Sequence, residues 1–398
     1  MRQFTLSEAQ NPKQCSVGKD ITNVNTFSVI RKEKLLQMHK KRVKCVIFAI
    51  FSIILYHFLF KSLQFWMFYR NFAPLDSATL PDEQRTRADL FYFGDMSTTL
   101  SSTYTKPALS IPDQIRMLRV RGLLITDDTW AEKLLEDISY FRIVAYLRPM
   151  ELDHTTHQFK PGATLEKAFQ LYDFDKKLRL LVFTAIQTIE ISLRSRVIHH
   201  FSIGTTPFWF FDESLCTDKH NFLDNMMVLE REQNRSKEDF IKEHKVKYGA
   251  DSFPPAWKIL ELASFGCLTK LFFNFSSTRI KKRIARSYGV PQHEILESWM
   301  KNLCAIRNIC AHHGRLWNRV IPVKPLIPSR VRNTWISNTS VSQTRLYAGL
   351  CCMLYWLNAI DSNNTFVQDL KNLLKTHPDV DTTAMGFPAN WLTEPLWQ

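Results

Sequence analysis

The sequence is poor in the residues on which several specialised folds depend. Cysteine occurs only eight times in 398 residues and never as a C-x-x-C pair, which argues against a disulfide framework or a zinc ribbon. The 11 glycines and 17 prolines are too few for a collagen-like or low-complexity chain. We therefore expect a globular protein whose cysteines are reduced thiols, most of them buried.

Several familiar catalytic motifs are also missing. The chain contains no G-x-G-x-x-G, P-loop, G-x-S-x-G or H-E-x-x-H pattern. The usual sequence motifs of nucleotide-cofactor binding, serine hydrolysis and zinc proteolysis are therefore absent. His199 and His200 are adjacent and would point about 100° apart on a helix, so they cannot hold one metal ion from a single face. The sequence thus predicts neither a cofactor nor a metal site.

Positive charge, in contrast, is abundant. There are 52 Lys and Arg residues against 38 Asp and Glu, a formal net charge of +14. This excess favours an anionic partner, either nucleic acid or a membrane surface, and a solvated basic surface without such a partner is the alternative.

Residues 1–95 differ in character from the rest of the chain. An apolar run occupies 45–69 and follows a basic cluster at 40–44, which is typical of a transmembrane helix or signal anchor. A buried apolar helix is the plainer alternative. With an anchor, the basic cluster would stay in the cytoplasm and the free-thiol remainder would lie outside. A domain with free thiols would then lie in an oxidising space, so we favour a start at Met96. That start predicts a cytoplasmic protein, and the chain would associate with a membrane only if the segment 41–69 is real.

The body of the chain, 104–375, has the periodicity of an all-α protein, and the tail 376–398 looks irregular. Apolar residues recur every three or four positions from about 165 to 201, which predicts one long helix. Glu190 and Arg194 lie beside this apolar stripe and are expected to form a surface ion pair.

Other segments also predict helices. One helix is expected from about Trp130 to before Pro149, with Phe141 facing inward. An apolar helix is expected after Pro255, through Trp257, and a final helix over 344–360.

A basic run follows the apolar helix. It either contacts the phosphate backbone of RNA or forms a solvated helix face, and no row of aromatic residues is interleaved to decide between them. Its members are Arg279, Lys281, Lys282, Arg283 and Arg286.

The most informative segment is 307–315, at the end of a predicted helix that begins near Pro291. Projected at about 100° per residue, Asn308, His312 and Arg315 fall within about 60° of one another, opposite the apolar stripe, with Arg307 on the shoulder. Histidines before a glycine are also common at helix ends, so a capped terminus at Gly314 is the simpler explanation for His312 and His313. That explanation leaves Arg307 and Asn308 unaccounted for.

Arg307 followed by His312 resembles the R-x4-6-H motif of HEPN ribonucleases, and the extension through Asn318 resembles the Abi-like abortive-infection family (AbiD/AbiF type). Similar blocks occur in order at 106–123, 139–149, 190–194 and 255–266, so the resemblance covers about 104–375. The family normally opens near Lys106, which supports Met96 as the start.

The resemblance implies a HEPN-like helical bundle with extra helices, acting as a metal-independent endoribonuclease toxin in phage defence. The 2′-OH of RNA would be the nucleophile, and an imidazole can move its proton near neutral pH. Arg307 would stabilise charge on the phosphate and Asn308 would orient His312 or a phosphate oxygen. His313 and Arg315 are further candidates, and Glu190 and Arg194 are supporting ones.

HEPN proteins usually complete this chemistry by pairing two motifs, which implies a homodimer. A small RNA or a protein antitoxin would restrain the toxin. Two other functions stay open: a non-catalytic RNA-binding or interaction module, and a membrane-anchored phage sensor.

Overall fold

Helices dominate the structure, which confirms the all-α prediction. The computed structural model describes residues 107–249 and 252–398, and this part of the chain contains twelve α-helices and one short antiparallel hairpin. In chain order the elements are α1 (Ile111–Val120), α2 (Asp128–Ile138), α3 (Tyr140–Leu147), β1 (Glu151–Asp153), β2 (Gln158–Phe159), α4 (Leu165–Gly204), α5 (Lys219–Arg235), α6 (Asp239–Tyr248), α7 (Ala256–Ile259), α8 (Phe265–Asn274), α9 (Thr278–Ser287), α10 (His293–Ala311), α11 (Leu346–Ile360) and α12 (Phe366–Thr376).

The predicted extension 1–95 lies outside the described residues, and so do its apolar segment 45–69 and Met96. Among the helices that the structure does describe, none combines the length and the apolar character needed to cross a bilayer.

The long helix α4 is the centre of the fold. Thr164 caps its first turn, because the Thr164 hydroxyl accepts a hydrogen bond from the backbone N–H of Lys167 at 3.1 Å. The predicted apolar stripe is buried along its length, from Phe174 to Val197. Helices α3, α9, α10, α11 and α12 all pack against α4. One periodic sequence segment therefore supplies the axis on which the remaining helices assemble.

The helix predicted from Trp130 to Pro149 is in fact two helices. Ser139 separates α2 from α3 with a φ of 68°, in the left-handed region that non-glycine residues seldom adopt. The break changes the phase of the helical repeat, and Phe141 is 57% exposed instead of facing inward. The prediction for Phe141 was therefore wrong, because it assumed an unbroken helix.

The apolar helix predicted after Pro255 is also interrupted. Helix α7 ends at Ile259, and α8 begins at Phe265 with Ser264 as its cap. In the separated α7, Trp257 is 49% exposed.

The C-terminal region contains more structure than its sequence suggested. The helix predicted over 344–360 is observed as α11, and a further helix, α12, follows it. Beyond α12 the chain forms three single-turn 3-10 helices. The Trp397 indole is fully buried and stacks on the Tyr347 ring, with 5.7 Å between ring centroids.

Candidate functional site

The end of α10 is a tight left-handed turn centred on His313. Helix α10 ends at Ala311, His312 is its C-cap, and His313 has a φ of 56°. The Gly314 N–H donates to the Ile309 carbonyl at 2.8 Å, and the His313 N–H donates to the Cys310 carbonyl at 3.1 Å. These two hydrogen bonds define a Schellman motif, in which the left-handed residue is usually glycine. Gly314 was predicted to cap the helix, but His313 occupies that position.

This turn corrects the predicted placement of Arg315. The projection that grouped Arg315 with Asn308 and His312 assumed a continuing helix, whereas the chain reverses at His313. The Arg315 guanidinium instead donates to the Ala145 carbonyl at 2.6 Å and to the Asn318 carbonyl at 3.3 Å. Burial lowers the pKa of Arg315 below its ordinary value. Arg315 thus fastens the turn to α3, and its donors are occupied by backbone carbonyls.

A buried carboxylate holds the chain that follows the turn. Asp175 of α4 is fully buried and accepts hydrogen bonds from the Leu316 N–H at 3.1 Å and the Trp317 N–H at 2.6 Å. It also accepts from the Tyr146 hydroxyl at 2.6 Å and pairs with the Arg179 guanidinium. Burial raises the pKa of Tyr146, and the neighbouring Asp175 charge raises it further. These contacts join the turn after α10 to α3 and α4.

His313 is held through its backbone, which leaves its side chain outside. Arg142 of α3 donates from Nη1 to the His313 carbonyl at 2.7 Å. Both His312 and His313 are exposed. Within the described residues, no hydrogen bond or ion pair joins the His312 imidazole to another side chain. The structure therefore presents two imidazoles to solvent on a firmly held backbone.

Arg307, one turn before the end of α10, belongs to a network of charges with α4. Glu190 pairs with Arg194 at 2.8 Å between Oε1 and Nη2, and its other oxygen lies 3.9 Å from Arg307 Nε. Arg194 also donates to the backbone carbonyls of Leu260 and Ala263. The predicted pair of Glu190 and Arg194 is present, but the expectation of a surface position was wrong, since Arg194 is only 9% exposed.

The network leaves Arg307 positively charged and accessible. Two guanidinium groups share one carboxylate, and the shorter contact is to Arg194. The Arg307 side chain is 30% exposed, and its Cζ lies 5.7 Å from the Phe183 ring centroid. Its Nη1 donates weakly to Asn308 Oδ1 at 3.4 Å, and Asn308 is exposed. The structure thus brings together four predicted residues: Arg307, Asn308, Glu190 and Arg194.

The basic run forms helix α9, where its members separate into two kinds. Four side chains are exposed at helical spacing and share one face: Arg279, Lys282, Arg283 and Arg286. Lys281 departs from the predicted RNA-binding set because its side chain is only 7% exposed. Its ammonium lies 2.9 Å from Glu297 Oε1 and donates to the Phe273 carbonyl.

The sequence interpretation missed Asp175 and Arg179, which position the turn. Their only sequence signature is a charged pair at i,i+4, directly after the stripe residues Phe174 and Leu178. Across residues 107–249 and 252–398, no cluster of three or more His, Cys, Asp or Glu side chains is placed to hold a metal ion.

One comparison with known proteins matches the part of the chain that contains the candidate site residues. The model of the family described as Abi-like protein matches residues 133–318, a span that includes every candidate site residue. A search of curated proteins and a search of solved structures each gave no match. Residues 133–318, a little under half of the chain, are therefore similar to the Abi-like protein family.

Proposed function

We propose that this protein is a metal-independent endoribonuclease of an abortive-infection system, with Arg307 and His312 as its catalytic residues. One observation carries the proposal: a partly exposed guanidinium beside the Glu190 carboxylate lies one turn before an exposed imidazole on an anchored helix end. The similarity of residues 133–318 to the Abi-like protein family supports the setting in abortive infection.

The reaction follows from the groups present. His312 removes the proton from a ribose 2′-OH, and the resulting oxygen attacks the adjacent phosphorus. A P–O2′ bond forms and the P–O5′ bond breaks, with a proton delivered to the departing O5′. The products are a 2′,3′-cyclic phosphate and a 5′-OH. Arg307 stabilises the additional negative charge on the phosphate oxygens, because only part of its charge is offset by Glu190.

Two proton transfers call for a general base and a general acid, and we propose that a homodimer provides both. A second copy would bring its own His312 to the opposite side of the scissile phosphate. Two exposed apolar side chains on α4 are available for such a pairing surface, since Leu180 is 62% exposed and Ile191 is 61% exposed. They lie eleven residues apart and so share one face of the helix.

A non-catalytic RNA-binding module is the second candidate. The exposed cations on one face of α9 favour it, because such a row can follow a phosphate backbone without any chemistry. In this function the exposed His312 would contribute only to binding.

Cleavage by point variants separates the two functions. We expect the full-length protein to cut RNA in EDTA, and His312→Ala to abolish cleavage while leaving RNA binding unchanged. His220→Ala is the matched control, because the His220 side chain is 86% exposed and lies on α5. Cleavage by His312→Ala at the wild-type rate would refute the catalytic assignment. Binding without cleavage by the wild type would favour the binding module.

A further inference from the structure

A cleft lies beside the charged network, between α4 and α7. Its volume is about 420 Å³, within the range of small-ligand sites. The α4 wall includes Ile198, His199 and Ile203, and the opposite wall is formed by Trp257 and Glu261.

The lining combines exposed apolar surface with unpaired polar groups. Ile203 is 70% exposed and Trp257 is 49% exposed, although an isoleucine and a tryptophan would gain by burial. Ser202 Oγ is buried in the lining without a hydrogen-bond partner. The Glu261 carboxylate has no hydrogen bond or ion pair within the described part of the chain. A flat aromatic ring and unpaired polar atoms together suit a planar, polar-edged ligand.

The cleft lies on the same helix as the charged network that includes Arg307. Arg194 donates to the carbonyls of Leu260 and Ala263, which flank Glu261 in sequence, so the charged network and the cleft share one wall. Glu190 and His199 are nine residues apart on α4, a rise of about 13 Å along the helix. A ligand in the cleft would therefore lie roughly 13 Å along α4 from Glu190, the carboxylate beside Arg307.

Positive charge lies along the face of α4 that contacts α9. Arg196 donates to Ser287 Oγ at 2.5 Å, and Ser192 and Tyr288 share a hydrogen bond of 2.9 Å. These contacts place α9 beside the same stretch of α4 that forms the cleft. Burial lowers the pKa of His200, and the charges of His199, Arg283 and Arg196 lower it further. The exposed cations of α9 thus lie beside the stretch of α4 that forms the cleft.

We propose that this cleft binds one unstacked base of single-stranded RNA. The base stacks on Trp257, while the exposed Arg283 of α9 holds a flanking phosphate. Glu261 accepts a hydrogen bond from an exocyclic amine, which favours adenine, cytosine or guanine over uracil. This inference rests on the proposed function, since it names the form of RNA presented to Arg307 and His312.

Binding of an RNA analogue that cannot be cleaved tests the cleft separately from the chemistry. The probes are fluorescein-labelled 2′-O-methyl oligonucleotides of adenosine or of uridine, which lack the nucleophile. Anisotropy measures their affinity for the full chain. We expect Trp257→Ala to weaken adenosine binding by about 5-fold to 150-fold, the range found when one stacked base is lost. Trp257→Phe should retain most of the affinity, and Leu392→Ala, at a residue 51% exposed on the C-terminal segment, should match the wild type.

The Glu261 contact has its own readout. Glu261→Gln should reduce the preference for adenosine over uridine, because an amide can donate to a uracil carbonyl as well as accept. Equal affinities for wild type and Trp257→Ala, or no binding of any probe by the wild type, would overturn the cleft assignment. Normal probe binding by a wild type that cuts no RNA would refute the proposed function and leave the cleft standing.

Discussion

Replacing Asp175 by Asn tests whether the turn after α10 depends on one buried charge. The carboxylate is fully buried and accepts from Tyr146, Arg179 and the backbone N–H groups of Leu316 and Trp317. An amide keeps the size but offers a single acceptor oxygen and directs an NH₂ group toward other donors. The Arg179 charge, 6% exposed, would then lack its counter-charge.

Removing one partner of a buried ion pair costs about 3–5 kcal/mol, and we expect Asp175→Asn to lose about 3 kcal/mol because part of its hydrogen bonding survives. Chemical denaturation followed by tryptophan fluorescence measures this loss. Asp137→Asn is the control, since the Asp137 side chain is 67% exposed in its pair with Lys133 and should cost at most about 0.5 kcal/mol.

At a temperature where Asp175→Asn is fully folded, we also expect slower RNA cleavage, because the backbone that carries His312 is less firmly held. A loss of stability no larger than that of Asp137→Asn would show that Asp175 does not anchor the turn.

Three further perturbations follow from local geometry. His313→Gly should raise the free energy of unfolding by about 1 kcal/mol, because glycine adopts the left-handed conformation without strain. A lower denaturation midpoint would contradict this prediction. Retained RNA cleavage by the same variant would assign catalysis to His312. Lys281→Met should destabilise the protein by leaving the Glu297 charge in a largely buried site, whereas Lys282→Met should leave the melting temperature unchanged and weaken RNA binding in a salt-dependent manner. The pKa of His200 is lowered from its ordinary 6.5, so protonation of His200 opposes folding. Urea titrations should therefore show that the stability of the wild type falls more steeply than that of His200→Gln from about pH 7 to about pH 5. Parallel curves of stability against pH would refute the assignment.

Elements encoded by local periodicity could be predicted from the sequence. The long helix α4 and helix α10 both follow repeated apolar spacing, and the pairing of Glu190 with Arg194 follows from their i,i+4 separation. Such patterns depend only on neighbouring residues, so they are readable without knowledge of the fold.

Features fixed by single residues or by distant partners could not be predicted. Ser139 adopts a left-handed conformation that glycine usually supplies, so the break between α2 and α3 has no local signature. The end of α10 did have one, but the left-handed residue is His313 and not the predicted Gly314. Asp175 bonds to Leu316, 141 positions away, and the buried charge of Lys281 likewise depends on Glu297 in another helix. Burial of a charge is decided by the tertiary partner that compensates it, and periodicity carries no information about that partner.

The chemistry of the RNA ends tests the central claim most directly. RNA cut by the full-length protein in EDTA should carry 2′,3′-cyclic phosphate and 5′-OH ends, and a substrate with a 2′-deoxy nucleotide at the cleavage site should resist cutting there. His312→Ala should generate neither product. Products with 3′-OH and 5′-phosphate ends, or cutting of the 2′-deoxy substrate, would contradict attack by the 2′-OH and the roles assigned to Arg307 and His312.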